Sequence, residues 1–300
     1  MSILVTGAGG FIGSALCKRL VEETAESVYG VYSRDAFLNE NLIQTDERIN
    51  VEYADLNEEG EVAWLMRRIH PRVIIHLAAN ANGNAGHEAM LKNVDMVEKL
   101  TRLAPAGCHF ILASSITVYG DSENKIAPTS PYALSKLMSE EVVKMRARYR
   151  NDGFRYSIVR LCATVGGNMT HGLLPDMIKK LKSPSKNIEL FGSEPGSIKP
   201  YIHVDDVVRV FCDFAIKNCS SVKEIDVRSA DILSVLYVYG ICSEILGIQK
   251  DIIWNKGKVW LGDNPILRGP SPDTYNFLYG QKTAAAAIRK AVGEYKSNGS

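Results

Sequence analysis

The chain has 300 residues, enough for one large α/β domain with a smaller lobe beside it. Hydrophobic residues make up 46% and charged residues 23%, which excludes a disordered or fibrous chain. The 35 basic and 34 acidic side chains leave a net charge of +1, so neither nucleic acid nor an anionic membrane is expected as a partner.

No apolar run approaches the roughly 20 residues that span a bilayer. Six scattered cysteines (Cys17, Cys108, Cys162, Cys212, Cys219, Cys242) form no CxxC pair. They read as buried reduced thiols, and no metal site is expected. The sequence opens on a strand with no basic leader, so the expected location is cytoplasmic.

In chain order, β-rich runs fall at 2–6, 27–32, 49–53, 73–77, 108–114 and 156–161. Helix-length stretches lie between most of them, at 11–24, 58–70, 88–103 and 131–151. Strand–helix alternation predicts a doubly wound parallel sheet covered on both faces, the Rossmann architecture. Val73-Ile74-Ile75-His76-Leu77 is apolar almost throughout, as a strand buried on both sides should be. The polar stretch 35–50 reads as a loop with at most a short helix.

Beyond Leu161 the rhythm breaks. Helices are expected at 173–181, 205–217, 233–246 and 283–295, strands at 188–191, 201–204, 224–227 and 252–254, and an irregular stretch at 257–272. The expected division is a dinucleotide-binding domain over 1–165, with a segment near 200–220 returning to it, and a smaller substrate-binding lobe over 166–300.

The first βα turn is Thr6-Gly7-Ala8-Gly9-Gly10-Phe11-Ile12-Gly13, a Gly-rich turn after a strand and before a helix. Gly7 serves a tight turn, Gly10 a close backbone approach to a pyrophosphate, and Gly13 the packing of helix on sheet. The helix start at Phe11 and Ile12 offers free N–H groups to phosphate. At the end of the second strand, where an acidic residue would bind the 2′-hydroxyl of NAD, stand Ser33 and Arg34, followed by Asp35. Serine and arginine suit a 2′-phosphate, so NADP is favoured over NAD. The plainer alternative is a solvated loop pair.

Tyr132-Ala133-Leu134-Ser135-Lys136 puts a phenol and an ammonium one helical turn apart. A phenol titrates near ~10 in water. A neighbouring ammonium and a nicotinamide cation are expected to lower that value, so that Tyr132 exchanges a proton with a hydroxyl or ketone near neutral pH. Upstream, Ala113-Ser114-Ser115-Ile116-Thr117-Val118-Tyr119-Gly120 carries hydroxyls at the end of a sheet strand. Open α/β sheets place their sites there.

These segments resemble the TGxxGxxG turn, the SSxxVYG strand end and the YxxxK pair of the extended short-chain dehydrogenase/reductases, in particular the NAD-dependent epimerase/dehydratase family. The resemblance covers nearly the whole chain. It implies that Ser115, Tyr132 and Lys136 are catalytic, with Lys136 also holding the nicotinamide ribose. It further implies that Asp55 and Leu56 meet the adenine end, that Ala78 and Ala79 leave room for the cofactor, and that Asn93 bonds backbone near the active site.

The same likeness assigns substrate contacts to Thr117, Ala163, His171, Leu174, Lys199, Trp260 and Asp263. Three of these depart from the pattern: Ala163 stands for an asparagine, and Lys199 and Trp260 for arginines. The nucleotide and the sugar are therefore open.

Dehydratases of the family carry Thr-Asp-Glu where this chain has Ser115-Ile116-Thr117, which argues against 4,6-dehydration. The implied activity is NAD(P)-dependent hydride transfer at C4 of a nucleotide-activated sugar, by a 4-epimerase or a 4-keto-sugar reductase. A non-catalytic NADP sensor on the same fold usually lacks the Tyr/Lys pair that this chain keeps. Family members commonly pair as homodimers through two helices, here 88–103 and 132–150. The simpler alternative is that these helices only pack on the sheet.

Overall fold

The computed structural model describes residues 2–33, 46–81, 86–122, 125–217, 223–257 and 283–298. The chain divides into two compact units. The first is Met1–Ser115, Pro131–Arg160 and Asp205–Ile225, and the second is Ile116–Ser130, Leu161–Val204 and Asp226–Ser300.

The first unit is built on β1 (Ser2–Thr6), α1 (Phe11–Glu23), β2 (Ser27–Tyr32), β3 (Ile49–Tyr53), α2 (Glu59–Ile69), β4 (Val73–His76), α3 (His87–Leu103), β5 (His109–Ser115), α4 (Pro131–Tyr149) and β6 (Arg155–Leu161). Among the described residues a seven-stranded sheet runs in the order β11-β6-β5-β4-β1-β2-β3, where β11 is Glu224–Val227. The first six strands follow the Rossmann order, and β11 extends the edge. β1 pairs in parallel with both β2 and β4, β2 with β3, and β4 with β5.

Burial explains why these strands read as continuous apolar runs. All four residues of β4 and all seven of β5 are buried. Leu4, Ile74, Phe110 and Leu112 of the sheet share one core with Leu65 of α2, Leu100 of α3 and Val143 of α4. Helix α2 ends on His70 in the left-handed conformation, φ 48°, and its last turn carries Arg67 and Arg68, which complement the carbonyl end of the helix dipole.

The second unit holds β7 (Ala163–Val165), α5 (Leu173–Lys182), β8 (Asn187–Phe191), β9 (Ile198–Lys199), β10 (Tyr201–His203), β12 (Leu233–Ser234), α7 (Val235–Leu246), β13 (Asp251–Asn255) and α8 (Ala284–Asn298); α6 (Val204–Ile216) lies between β10 and β11 in the chain. β7 pairs in parallel with β10 and β8 with β13, while β9 and β12 are antiparallel. Its core gathers Leu174, Met177, Ile178 and Leu181 of α5, Val238 and Ile241 of α7, and Ile288 and Val292 of α8.

The strand and helix positions expected from sequence are found within three residues wherever they are described, with one difference in kind. Residues 233–234 open as a strand pairing with Ile198 and Lys199, and the helix starts only at Val235. Ser234 then caps it by accepting a hydrogen bond from the Tyr237 backbone N–H, 3.2 Å. Cys17, Cys108, Cys162, Cys212 and Cys242 are free and buried, while Cys219 lies outside the described residues. Among the described residues no helix is long and apolar enough to cross a membrane.

Candidate active site

At the first strand end Gly7 has φ +71°, and a Cβ there would lie 2.8 Å from the Ala78 backbone nitrogen. At Gly13 a Cβ would lie 2.1 Å from the Gly7 carbonyl oxygen. The turn therefore packs backbone on backbone, and neither position has room for a side chain. Gly10 is the N-cap of α1 and is exposed, with no side-chain cap. The first N–H groups of α1 are thus left for a ligand, and the cradle fits a dinucleotide pyrophosphate.

The neighbouring strand ends complete this edge. Ser33 follows β2 and is exposed; Arg34 lies outside the described residues. Asp55 follows β3, is exposed, and accepts a hydrogen bond from the Asn57 backbone N–H at 2.8 Å; Leu56 is buried. Ala78 and Ala79 follow β4 and are half-buried.

Beneath them Thr6 Oγ1 lies 2.7 Å from His76 Nδ1 and 3.3 Å from the Ala78 nitrogen, which donates to it. Burial, with the Lys136 charge adding to it, pushes His76 down to about 3. The imidazole is a neutral strut between β1 and β4, which sequence inspection did not single out.

Asn93 behaves as expected of a backbone clamp. Its Oδ1 accepts from the Asn80 N–H at 2.8 Å, and its Nδ2 donates to the Asn80 carbonyl at 3.1 Å and to Ser135 Oγ at 3.5 Å. It ties the loop after β4 to helices α3 and α4.

Ser115, the last residue of β5, is buried. On α4, Tyr132 is half-buried and Lys136 buried. The Lys136 ammonium donates to the Ala113 carbonyl at 3.0 Å and lies 5.7 Å from the centre of the Tyr132 ring. Burial lowers Lys136 to about 8, against an opposing pull from the Glu140 carboxylate.

The expected lowering of the Tyr132 pKa is not what the protein alone produces. Burial pushes the phenol up to about 12. The low-dielectric setting disfavours the phenolate.

The candidate substrate residues belong to the second unit. Thr117 sits in a 3₁₀ turn (Ile116–Tyr119), and Ala163 pairs with Tyr201 between β7 and β10. Lys199, half-buried, is on β9. His171 is exposed, with Nδ1 3.2 Å from Thr170 Oγ1. Leu174 departs from its expected role: it is 1% exposed in the core of the second unit, on the α5 face that also buries Met177, Ile178 and Leu181. Trp260 and Asp263 lie outside the described residues. Within the same unit Glu294 of α8 accepts from the Gly167 N–H at 2.8 Å and meets His203 Nε2 at 3.1 Å, joining the helix to the loop after β7.

The glycine cradle at the end of β1 and the serine, tyrosine and lysine at β5 and α4 together define a dinucleotide-dependent dehydrogenase fold. The family model described as "NAD dependent epimerase/dehydratase family" matches residues 3–227, and the chain belongs to that family of NAD-dependent enzymes acting on nucleotide sugars. An uncharacterized UDP-glucose epimerase, YtcB, of Bacillus subtilis is 25% identical over 282 residues, covering 82% of this chain and 83% of that protein. The crystal structure of a UDP-galactose 4-epimerase superposes with a TM-score of 0.82 at 25% identity, over 99% of both chains. That of the UDP-glucuronic acid 4-epimerase from Bacillus cereus, in complex with UDP-glucuronic acid and NAD, gives 0.84 at 22% identity, over 99% of this chain and 100% of that one.

Replacing Gly7 with alanine should cost about 1–2 kcal/mol from the left-handed backbone alone, and more from the contact with Ala78. Urea unfolding and a dinucleotide titration of Gly7→Ala should show lower stability and at least tenfold weaker binding. Unchanged affinity would mean that this turn is not the pyrophosphate cradle.

Proposed function

We propose that this protein transfers a hydride at C4 of a nucleotide-activated sugar, as a 4-epimerase or a 4-keto-sugar reductase, using Tyr132 as the proton-transfer group. The observation that carries the reading is the buried Lys136 ammonium, fixed on the Ala113 carbonyl at 3.0 Å beside Tyr132 and at the end of the strand that bears Ser115. A nicotinamide dinucleotide, when bound, supplies hydride acceptance and return. The Tyr132 oxygen takes the proton of the C4 hydroxyl in one direction and gives it back in the other. Ser115 donates a hydrogen bond to the same sugar oxygen, and Lys136 stabilises the phenolate and holds the nicotinamide ribose.

Gly7, Gly10, Phe11, Ile12 and Gly13 are assigned to the pyrophosphate, Asp55 and Leu56 to the adenine end, and Ala78, Ala79 and Asn93 to the space around the cofactor. Thr117, Ala163, His171 and Lys199 are assigned to the nucleotide sugar. Ile116, where dehydratases of the family carry an acid, supports redox chemistry over elimination of water. Tyr132→Phe should lower kcat by about 10²–10⁴-fold with UDP-glucose or UDP-galactose while dinucleotide affinity holds. A variant that keeps wild-type turnover would end the assignment.

The names of the relatives favour epimerisation. Ser33 and Arg34, standing after β2 where an acidic residue would bind the 2′-hydroxyl of NAD, favour the 2′-phosphate of NADP and with it a reductase. Titration with NADH and NADPH should show tighter binding of NADPH. Consumption of one NADPH per 4-keto sugar nucleotide would identify the reductase. A cofactor that copurifies and is not consumed would identify the epimerase.

The partner surface is assigned to a second copy of the chain. Leu134, Met138, Met145 and Tyr149 of α4 are exposed at spacings that put them on one stripe of the helix, and Leu91 of α3 is exposed too. A twofold pairing of such stripes is self-complementary. Met145→Glu should shift the protein from dimer to monomer in light scattering coupled to size exclusion. A wild-type monomer would remove the proposal. The free, buried thiols favour a reducing, cytoplasmic location.

A further inference from the structure

Tyr132, Lys136, Glu140 and Lys144 follow one another at four-residue intervals along α4, so they form a single stripe on one face of the helix. The third of these is fully buried. Its carboxylate accepts from Ser114 Oγ at 2.5 Å and from Arg160 Nε at 2.9 Å, and a second Arg160 nitrogen reaches its other oxygen at 2.7 Å. That guanidinium is itself 5% exposed and continues to Glu224 of β11 at 2.7 Å. Lys144 stands 3.9 Å from Glu140 and 3.0 Å from Glu224. One carboxylate thus bonds β5 and β6 and lies one helical turn from the lysine of the candidate site.

We propose that Glu140 is a positioning residue: held by Arg160 and Ser114, it keeps the buried Lys136 ammonium charged and fixes α4 against the end of β5, next to Ser115. The proposal rests on the reading of Lys136 as the lysine that serves Tyr132. A bidentate arginine pair is a costly way merely to fill a core, since apolar side chains of similar volume stabilise as well or better. What the pair adds is a fixed negative charge in a low-dielectric setting, beside an ammonium that burial would otherwise discharge.

The groups facing this stripe make the titration readable. His76 of β4 is held down to about 3 and Tyr132 is pushed up to about 12, both by burial. Lys136, lowered to about 8, is the group expected to titrate between them. Glu140 acts to raise that value. Removing its charge must therefore lower it, and the alkaline limb of the activity profile must move to lower pH.

The test is Glu140→Gln in the full-length protein. Lys136 is followed by NMR of ¹³C-labelled lysine, assigned with Lys136→Arg, beside the pH dependence of kcat with UDP-glucose and UDP-galactose. The expected result is a fall of the Lys136 midpoint on the order of 1 pH unit, with the alkaline limb of kcat following it. Glu140→Asp, which restores the charge, should return most of the shift. A folded Glu140→Gln protein whose Lys136 midpoint stays put overturns the proposal, even if activity is lost through loosened packing.

Should Glu140→Gln not fold because Arg160 is orphaned, the double variant Glu140→Gln/Arg160→Met is compared with Arg160→Met alone, so that only the carboxylate differs, and the Lys136 midpoint must be lower in the double variant. The NMR titration needs no substrate. A wild-type protein that turns over no nucleotide sugar therefore fails the functional reading alone, and the midpoint still decides the role of Glu140.

Discussion

A parallel sheet cannot be joined by tight hairpins, so each strand must hand the chain to a crossover, and successive strands end on the same edge. In this protein that geometry does most of the assembly of the candidate site. The glycine turn after β1, Ser33 after β2, Asp55 after β3, Ala78 after β4 and Ser115 at the end of β5 are far apart in sequence and share one edge. The edge works only because the strands approach closely there. The Gly7 backbone sits against Ala78, and Thr6 and His76 meet between β1 and β4 at 2.7 Å. A side chain at Gly7 or a charged imidazole at His76 would push apart the two strands that flank the cradle.

Helix α4 obeys a different rule from the other helices of its unit. Helices α2 and α3 bury mainly Val, Leu, Met and Ile, whereas α4 buries Ser135, Lys136, Ser139 and Glu140 beside Ala133 and Val143. Such a face costs stability unless every polar group is matched. Here Lys136 has the Ala113 carbonyl, Ser139 the Ser135 carbonyl, and Glu140 has Ser114 and Arg160. Exposed apolar residues on the other side of the same helix complete the inversion. A helix that is polar inside and apolar outside violates the ordinary pattern of a surface helix, and violations of that kind mark functional surfaces.

The regular part of this fold was legible because its elements are long enough to carry a pattern. The apolar run of β4, the glycine turn and the four-residue spacing of Tyr132 and Lys136 are local signals, readable from a window of a dozen residues. β7, β9 and β12 are three residues or fewer and exist only through their partners, so no local pattern announces them. The same distinction separates the site residues. Asn93 was placed by likeness to a family, and the structure gives it the backbone contacts that likeness implies. Glu140 continues the Tyr132–Lys136 spacing by one more turn, but its meaning comes from Arg160 on β6, twenty residues further along. Leu174 was assigned a substrate contact by likeness, whereas its side chain shares a buried helix face with Met177, Ile178 and Leu181. Arg34, Trp260 and Asp263 fall outside the described residues.

The two titrating groups of the site are pushed in opposite directions by one cause. Burial raises the phenol of Tyr132 and lowers the ammonium of Lys136, so each is driven toward its neutral form. A fully neutral lysine would make a poor partner for the phenol, which would then have no cation to hold its oxygen once the proton leaves. Of the influences acting on Lys136, burial lowers its pKa and the Glu140 carboxylate opposes that lowering. That carboxylate is in turn kept in place by Arg160, on a strand that carries no catalytic group. Breaking a buried pair of this kind by removing one partner typically costs about 3–5 kcal/mol. One carboxylate therefore serves both the packing of α4 on β5 and β6 and the electrostatics around Lys136.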